Sequence, residues 1–428
     1  MKKLYLIILT LSLFSHLNAQ QLLDKNQIKE AKEFTSIDSA LMNPEKVYKL
    51  NLSGQELQEF PQQILNLKYL QVLNLSNNKL KGIPKEIVGL ENLQDLNLGE
   101  NEQMKWDKVF TNIAGCKNLQ RLCLNGNGMS ALPNQISMLH QLNSLELFNN
   151  QFETFPYAVL ELNQLENLDL HYNKISSLPA SISKLKNLKQ MDLTENQLSD
   201  IPESITQLDS LQSLNLTWNK FSVFPYLTTK IPNLRVLNLQ KNNIDALSGA
   251  IGTFPKLHEL NLSETKIKSL PKEIADIKSL KTLHLNQINW SSTDDFFQKV
   301  SMIEGLQTLN CAKSNITMLP PSVASMKSLT TIDLTENQIP ELSKEVFDLT
   351  NLRALIAWNT GLTTLSSDIG KLANLEVLVL GNNNLDRLPE EIINLKKLVY
   401  FDLWNNNLSE ADLNKIIKSL SWTYVNLQ

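Results

Sequence analysis

Residues Leu70–Asn92 read LQVLNLSNNKLKGIPKEIVGLEN, and residues Leu165–Asn187 read LENLDLHYNKISSLPASISKLKN. Aligned, the two stretches share apolar residues at positions one, four, six and eleven, an Asn at nine and a Pro at fifteen. From Val47 the chain divides into fifteen complete blocks ending at Lys397, thirteen of 23 residues and two of 26. A sixteenth starts at Leu398, and WTYVNL from Trp422 repeats only the opening pattern. A fixed period over that length signals a stacked array and overrides the several separate domains that 428 residues would otherwise suggest.

Within a block the LxLxx segment alternates, so Leu73 and Leu75 face inward while Asn74 faces out, as in a strand. One block cannot bury its own leucines; stacked blocks bury them in a continuous core beneath a parallel sheet. The ninth-position residues Asn78, Asn101, Asn127, Asn150, Asn173, Asn196, Asn219 and Asn242 stand where the strand turns away, with amides able to satisfy turn backbone. Pro84, Pro133, Pro156, Pro179, Pro202, Pro225, Pro271 and Pro389 begin the returning segment, where a fixed φ suits a first helical turn. The pattern LxxLxLxxNxLxxLPxxIxxLxx resembles the leucine-rich repeat family of the 23-residue type. The resemblance covers about nine-tenths of the chain. It implies an α/β solenoid, a horseshoe with a parallel sheet on the concave face and short helical or irregular segments on the convex face. Its specificity is for fold, because such arrays host many functions.

The two long blocks carry EQMKWDKVF and INWSSTDDFFQKV, the latter predicting a longer helix after Ser292 or Thr293. Thr265, Ile288, Ser314 and Thr360 replace the ninth-position Asn, so less regular curvature is expected from Leu257 to Asn374. Residues 20–46 read as an N-terminal cap, with Thr35 as N-cap, Asp38 three residues on and a stop at Asn43-Pro44. Repeats occupy 47–421. Leu413, Ile416, Ile417 and Leu420 share a helical face before a closing strand in 422–428.

The N-terminus, MKKLYLIILTLSLFSHLNAQQ, has the charged start, short apolar run and small residue of an export signal, with cleavage expected after Ala19. An apolar run of about 14 residues falls short of the roughly 20 that a span requires, and no later integral membrane segment is read. A net charge of −4 without a basic block gives no electrostatic case for nucleic acid. Cys116 and Cys311 occupy core positions and Cys123 an outward strand position, so no disulfide framework is read.

Catalysis requires a positioned nucleophile, base or metal set. No HExxH, Cys pair, GxSxG or P-loop occurs, and no cofactor is called for. His140 falls on the convex segment and His171 on the concave edge. His258 and His284 with Glu259 make at most an adventitious metal set. Binding is therefore sought on the concave face, where the third and fifth positions project and the seventh and eighth line the edge. Eleven of sixteen fifth positions are Asn or Asp, a row read as solvated sheet. Three departures stand out: an acidic row, Glu146, Asp169 and Asp192; an edge of Phe148, Tyr172 and Trp218 with His171 and Glu195; and a later group of Ile356, Trp358, Val379, Tyr400 and Trp404. The expected function is non-enzymatic recognition of a protein or peptide, a basic one at the first cluster, by an exported protein. Bacterial relatives of this type include adhesins and host-interaction factors. A structural envelope scaffold without a dedicated ligand site is the alternative, and an enzyme of unrecognised type a third reading.

Overall fold

The computed structural model describes residues 22–427. The export-signal reading and its Ala19 junction lie outside them. The chain forms two compact units, one made of the residues up to Phe152 with Pro156–Leu168, the other of Glu153–Phe155 with Asp169–Gln428.

In the first unit the three-residue strands Lys49–Asn51, Val72–Asn74, Asp95–Asn97, Arg121–Cys123 and Ser144–Glu146 pair in parallel in chain order. Fifth positions align, as in Asn51 with Asn74 and Cys123 with Glu146. In the second, eleven strands from Gln190–Asp192 to Tyr424–Asn426 do the same, aligning Asp192 with Asn215 and Asn261 with His284. The register does not slip between Leu257 and Asn374, although four repeats there lack the ninth-position Asn that anchors their neighbours. This is the parallel repeat solenoid that the 23-residue frame implies.

Most strands bury their central apolar residue, such as Leu73, Leu145 and Leu214, and leave its neighbours half-exposed. The ninth-position Asn residues stitch the stack. Asn78 Nδ2 donates to the carbonyls of Leu52, Leu75 and Ser76, while its Oδ1 accepts from the N–H groups of Gln55 and Leu57. One side chain thus closes its own turn and completes the turn of the repeat before it. The amide is needed for this because it combines two donors with an acceptor.

Behind the sheet most repeats return through a five-residue 3-10 turn such as Lys85–Gly89. The preceding Pro sits at the N-cap with extended backbone (Pro84 φ −71°, ψ 152°), one residue before the first helical position expected for it. Its carbonyl accepts the first turn hydrogen bond, from Ile87 N–H at 3.2 Å. The two long repeats instead make α-helices, Trp106–Ile113 and Thr293–Val300, the latter capped by Ser292. Their extra residues supply the length to bury Val109, Phe110 and Ile113 in one, and Phe296, Phe297 and Val300 in the other.

The N-terminal region corrects one reading. A short helix, Lys25–Glu30, starts from a capping box of Asp24 and Gln27, and strand Glu33–Phe34 pairs with Lys49–Leu50. The next helix, Ile37–Leu41, is capped by Ser36 rather than Thr35, because Ser36 has the extended backbone and its hydroxyl accepts from Ser39 N–H. At the other end, helix Glu410–Ser419 buries Ile416, and Leu420 beyond it is buried too. Ile417, expected on that face, is 45% exposed, since the helix contributes a narrower stripe to the core.

Candidate functional site

Two backbone devices place the sheet-face side chains. The first is an Asx turn at the strand exit. Asn74, Asn97, Asp169, Asp192, Asn215, Asn238 and Asp333 each accept the N–H two residues on, at 2.8–3.2 Å. The polar row is therefore a set of turn acceptors and not merely solvated sheet. Asp and Asn serve that bond alike, so the negative charge at Asp169 and Asp192 is additional to what the turn requires.

The second device is a left-handed residue at the eighth position of every repeat. Gly54 and Gly126 occupy it in the first unit, and Tyr172, Glu195, Trp218, Lys241 and Glu264 in the second, with φ between 51° and 57° for these five. Left-handed backbone costs a non-Gly residue about 1 kcal/mol. The sequence frame located this column but not its conformation. The tight turn carries Tyr172 and Trp218 outward, 48% and 52% exposed.

Of the six residues expected to form one strip, Glu146 and Phe148 belong to the first unit and Asp169, Tyr172, Asp192 and Trp218 to the second. In the first unit Glu146 is not part of an uncompensated acidic row. Arg121 on the adjacent strand donates to Glu146 at 2.7–2.9 Å and to Asp95 at 2.7 Å, forming an Asp95–Arg121–Glu146 triad. Burial opposes the guanidinium charge, but Asp95 and Glu146 outweigh it and hold Arg121 above its ordinary value. At Asp95 burial outweighs the Arg121 attraction and pushes the carboxyl up. The sequence signal for this triad was acid–base–acid at outward positions of three successive repeats, and Arg121 was missed. Cys123, expected outward, lies on the sheet face but is 2% exposed, with Sγ 2.7 Å from Asn125 Oδ1; burial pushes its thiol up to about 12. Phe148 is half-buried.

In the second unit His171 Nδ1 lies 2.5 Å from Asp169 Oδ1, and its ring packs edge-on against Tyr172 with centroids 5.1 Å apart. Ligand atoms of Asp169, His171 and Asp192 all lie within 4.8 Å of one another. The Tyr172 hydroxyl bonds to Glu195, which raises the phenol's pKa. Among the described residues no Lys or Arg forms an ion pair with Asp169, Asp192 or Glu195. Trp218 is met by the chain's own cation: Lys241 Nζ stands 4.2 Å from the ring centroid and 3.8 Å from Glu264. A ring face expected to await a partner's Lys or Arg is thus already covered.

Further along, Trp358 and Tyr400 are half-buried and Trp404 is 40% exposed. Tyr400 stacks on Tyr424, centroids 5.9 Å apart, a partner supplied by the closing strand. Asn359, Asn382 and Asn405 form a side-chain amide ladder with donor–acceptor distances of 2.7 and 2.5 Å. Gly381 lies between the two tryptophans, and a Cβ there would meet Asp402 Oδ2 at 2.7 Å, so a larger residue would displace that carboxyl. The histidines noted elsewhere diverge: His284 faces Glu259 at 3.5 Å, whereas His258 Nδ1 turns to the Lys256 carbonyl. No helix of the described residues is long and apolar enough to cross a membrane.

Comparison with known proteins identifies the frame. Models described as leucine rich repeat match residues 45–102, 163–221, 232–289 and 374–395. A leucine-rich repeat protein of Leptospira interrogans is 32% identical, with a TM-score of 0.67 over 92% of this chain and 100% of its own. The ectodomain of the Arabidopsis thaliana receptor kinase GASSHO1/SCHENGEN3, solved in complex with Casparian strip integrity factor 2, is 25% identical (TM-score 0.55, 88% of this chain, 49% of that one). An internalin from Listeria monocytogenes is similar in fold, at 23% identity and TM-score 0.60 over 74% of this chain and 88% of its own. A search of curated proteins gives no match. With a relative 32% identical along its entire length, and repeat models matching in the same frame, this chain belongs to the leucine-rich repeat family.

Proposed function

We propose that this protein is an exported, non-enzymatic binding protein whose sheet face takes a basic segment of a protein or peptide, in adhesion or host interaction. The observation that carries the reading is the charge at Asp169 and Asp192. Neighbouring repeats make the same turn with Asn215 and Asn238, so both carboxylates are available for recognition. Glu195 and Tyr172 flank them, offering a further acid and an exposed ring. Charges so placed act through complementarity and on-rate, with binding that weakens as salt rises. The plant receptor ectodomain similar to this chain was solved with a partner bound, which supports a recognition role for the array. The charged and apolar start of the sequence supports export.

Selection of a random peptide display library on the immobilised protein tests the reading. Enrichment of Lys- and Arg-rich peptides is expected on the wild type, lost on the doubly substituted Asp169→Asn, Asp192→Asn protein. Enrichment of neutral or acidic peptides, or the same basic peptides on both proteins, would refute it. A scaffold role finds some support on the other face, where Val223 is 66% exposed in a groove with Phe224, Tyr226 and Leu227. Partners lost only on substitution of Val223 would favour that alternative.

A further inference from the structure

We propose that Asp169, His171 and Asp192 form a binding site for a divalent transition ion of the Zn2+ class. The three residues come from adjacent repeats and offer one imidazole nitrogen and two carboxylate oxygens, all within 4.8 Å of one another. That mixed donor set suits zinc, which binds His nitrogen and Asp oxygen at about 2.0–2.2 Å, usually with four ligands. Donors around a tetrahedral ion stand roughly 3.4 Å apart at those bond lengths. The set would close by up to about 1.4 Å around such an ion.

The backbone already orients the set. His171 N–H holds Asp169 Oδ1 at 3.1 Å and Thr194 N–H holds Asp192 Oδ1 at 2.8 Å. Each carboxylate keeps lone pairs for an ion. The ion would take the place of the Nδ1 proton that faces Asp169, leaving the ring neutral with its hydrogen on Nε2.

An independent observation points the same way. The Thr194 hydroxyl is buried and has no hydrogen-bond partner. In the next repeat the equivalent hydroxyl, on Thr217, donates to the turn acceptor Asn215 Oδ1 at 2.7 Å. Asp192 is a stronger acceptor at the same place, yet Thr194 makes no such bond. A buried hydroxyl is seldom left unsatisfied, and water on an ion held by Asp192, whose Oδ1 the Thr194 N–H already meets, would offer this one a partner. With three protein ligands the ion keeps an outward coordination position, as open zinc sites do.

The inference does not depend on the basic-partner reading, but a bound ion would neutralise the same two carboxylates, so the peptide selection is run with a chelator present, and the test of the ion site uses no partner. The full chain is titrated with Zn2+ alone against a chromophoric chelator, and with Co2+ to follow visible absorption. One ion per chain is expected, with the d–d intensity of a four-coordinate site, weakening on acidification as protons compete for the imidazole. His171→Gln, and Asp169→Asn with Asp192→Asn, should each weaken binding at least about tenfold. The Asn variants keep the turn acceptors used by Asn215 and Asn238, so folding is retained. His284→Gln should change nothing. Absence of Zn2+ binding by the wild type, unchanged binding in the Asn variants, or loss in His284→Gln would overturn the proposal. Any of these would leave the peptide selection untouched.

Discussion

Replacing Asn196 by Leu tests how the repeats hold one another. Asn196 is 7% exposed; its Nδ2 donates to the carbonyls of Leu170, Leu193 and Thr194, and its Oδ1 accepts from Ile175 N–H at 2.9 Å. The carbonyls are insured. Leu170 O keeps Asn173 Nδ2, Leu193 O keeps Asn219 Nδ2, and Thr194 O keeps Tyr172 N–H. The Ile175 N–H loses its acceptor and is left buried. An orphaned buried donor costs about 1–3 kcal/mol, and the three weakened carbonyls with a branched side chain in a tight turn bring the expected loss to about 2–4 kcal/mol. Asn97→Leu is the control. Asn97 is half-exposed and its Oδ1 accepts only Gly99 N–H, which water can replace, so about 0.5–1 kcal/mol is expected. Long arrays depart from two-state unfolding, so urea midpoints are paired with hydrogen exchange. The Ile175 amide should lose protection in the Asn196 variant and keep it in the Asn97 variant. Equal midpoint shifts, or an Ile175 amide equally protected in both, would refute the reasoning.

Two further expectations concern the first unit and the cysteines. Arg121→Met leaves Asp95 and Glu146 without their cation; as the triad is partly exposed, the cost should be about 1–2 kcal/mol at pH 7. Asp95, already raised by burial, would then titrate still higher in the folded than in the unfolded chain, so the deficit should shrink as pH falls through its folded value, and a deficit that grows would contradict this. Cys116 and Cys123, with thiols pushed up by burial to about 11 and about 12, should resist alkylation at pH 8 in the native protein and react once denatured. Buried Cys311, whose thiol burial also pushes up, should behave the same way, and rapid native labelling at any of the three would contradict its placement.

The spacing of Leu, Asn and Pro was enough to read the strands, the turns and the inward face, because period and alternation translate directly into burial. Cap details were harder: Thr35 and Ser36 have the same chemistry, and only the extended backbone at Ser36 decides between them. The conformation of the eighth position was hidden because Tyr172, Glu195, Trp218 and Lys241 advertise nothing left-handed; Gly54 and Gly126 in the same column were the available clue. At the candidate site the residue types were legible and their partners were not. Arg121 neutralising Glu146, Lys241 covering Trp218 and Tyr424 meeting Tyr400 all come from neighbouring repeats whose side-chain directions no spacing rule specifies.

The Asn stitch also gives the array a direction. Asn78 completes backbone donors at Gln55 and Leu57, Asn219 completes Leu198, and Asn383 completes Thr360 and Leu362, always reaching toward the earlier repeat. A repeat is therefore finished only by its successor. On a ribosome the newest repeat would stay open until about one more block had emerged, and structure would advance one step behind synthesis. A cut made between repeats would be unequal on its two sides: the upstream piece ends in unmet N–H groups, while the downstream piece begins with amides that water can serve.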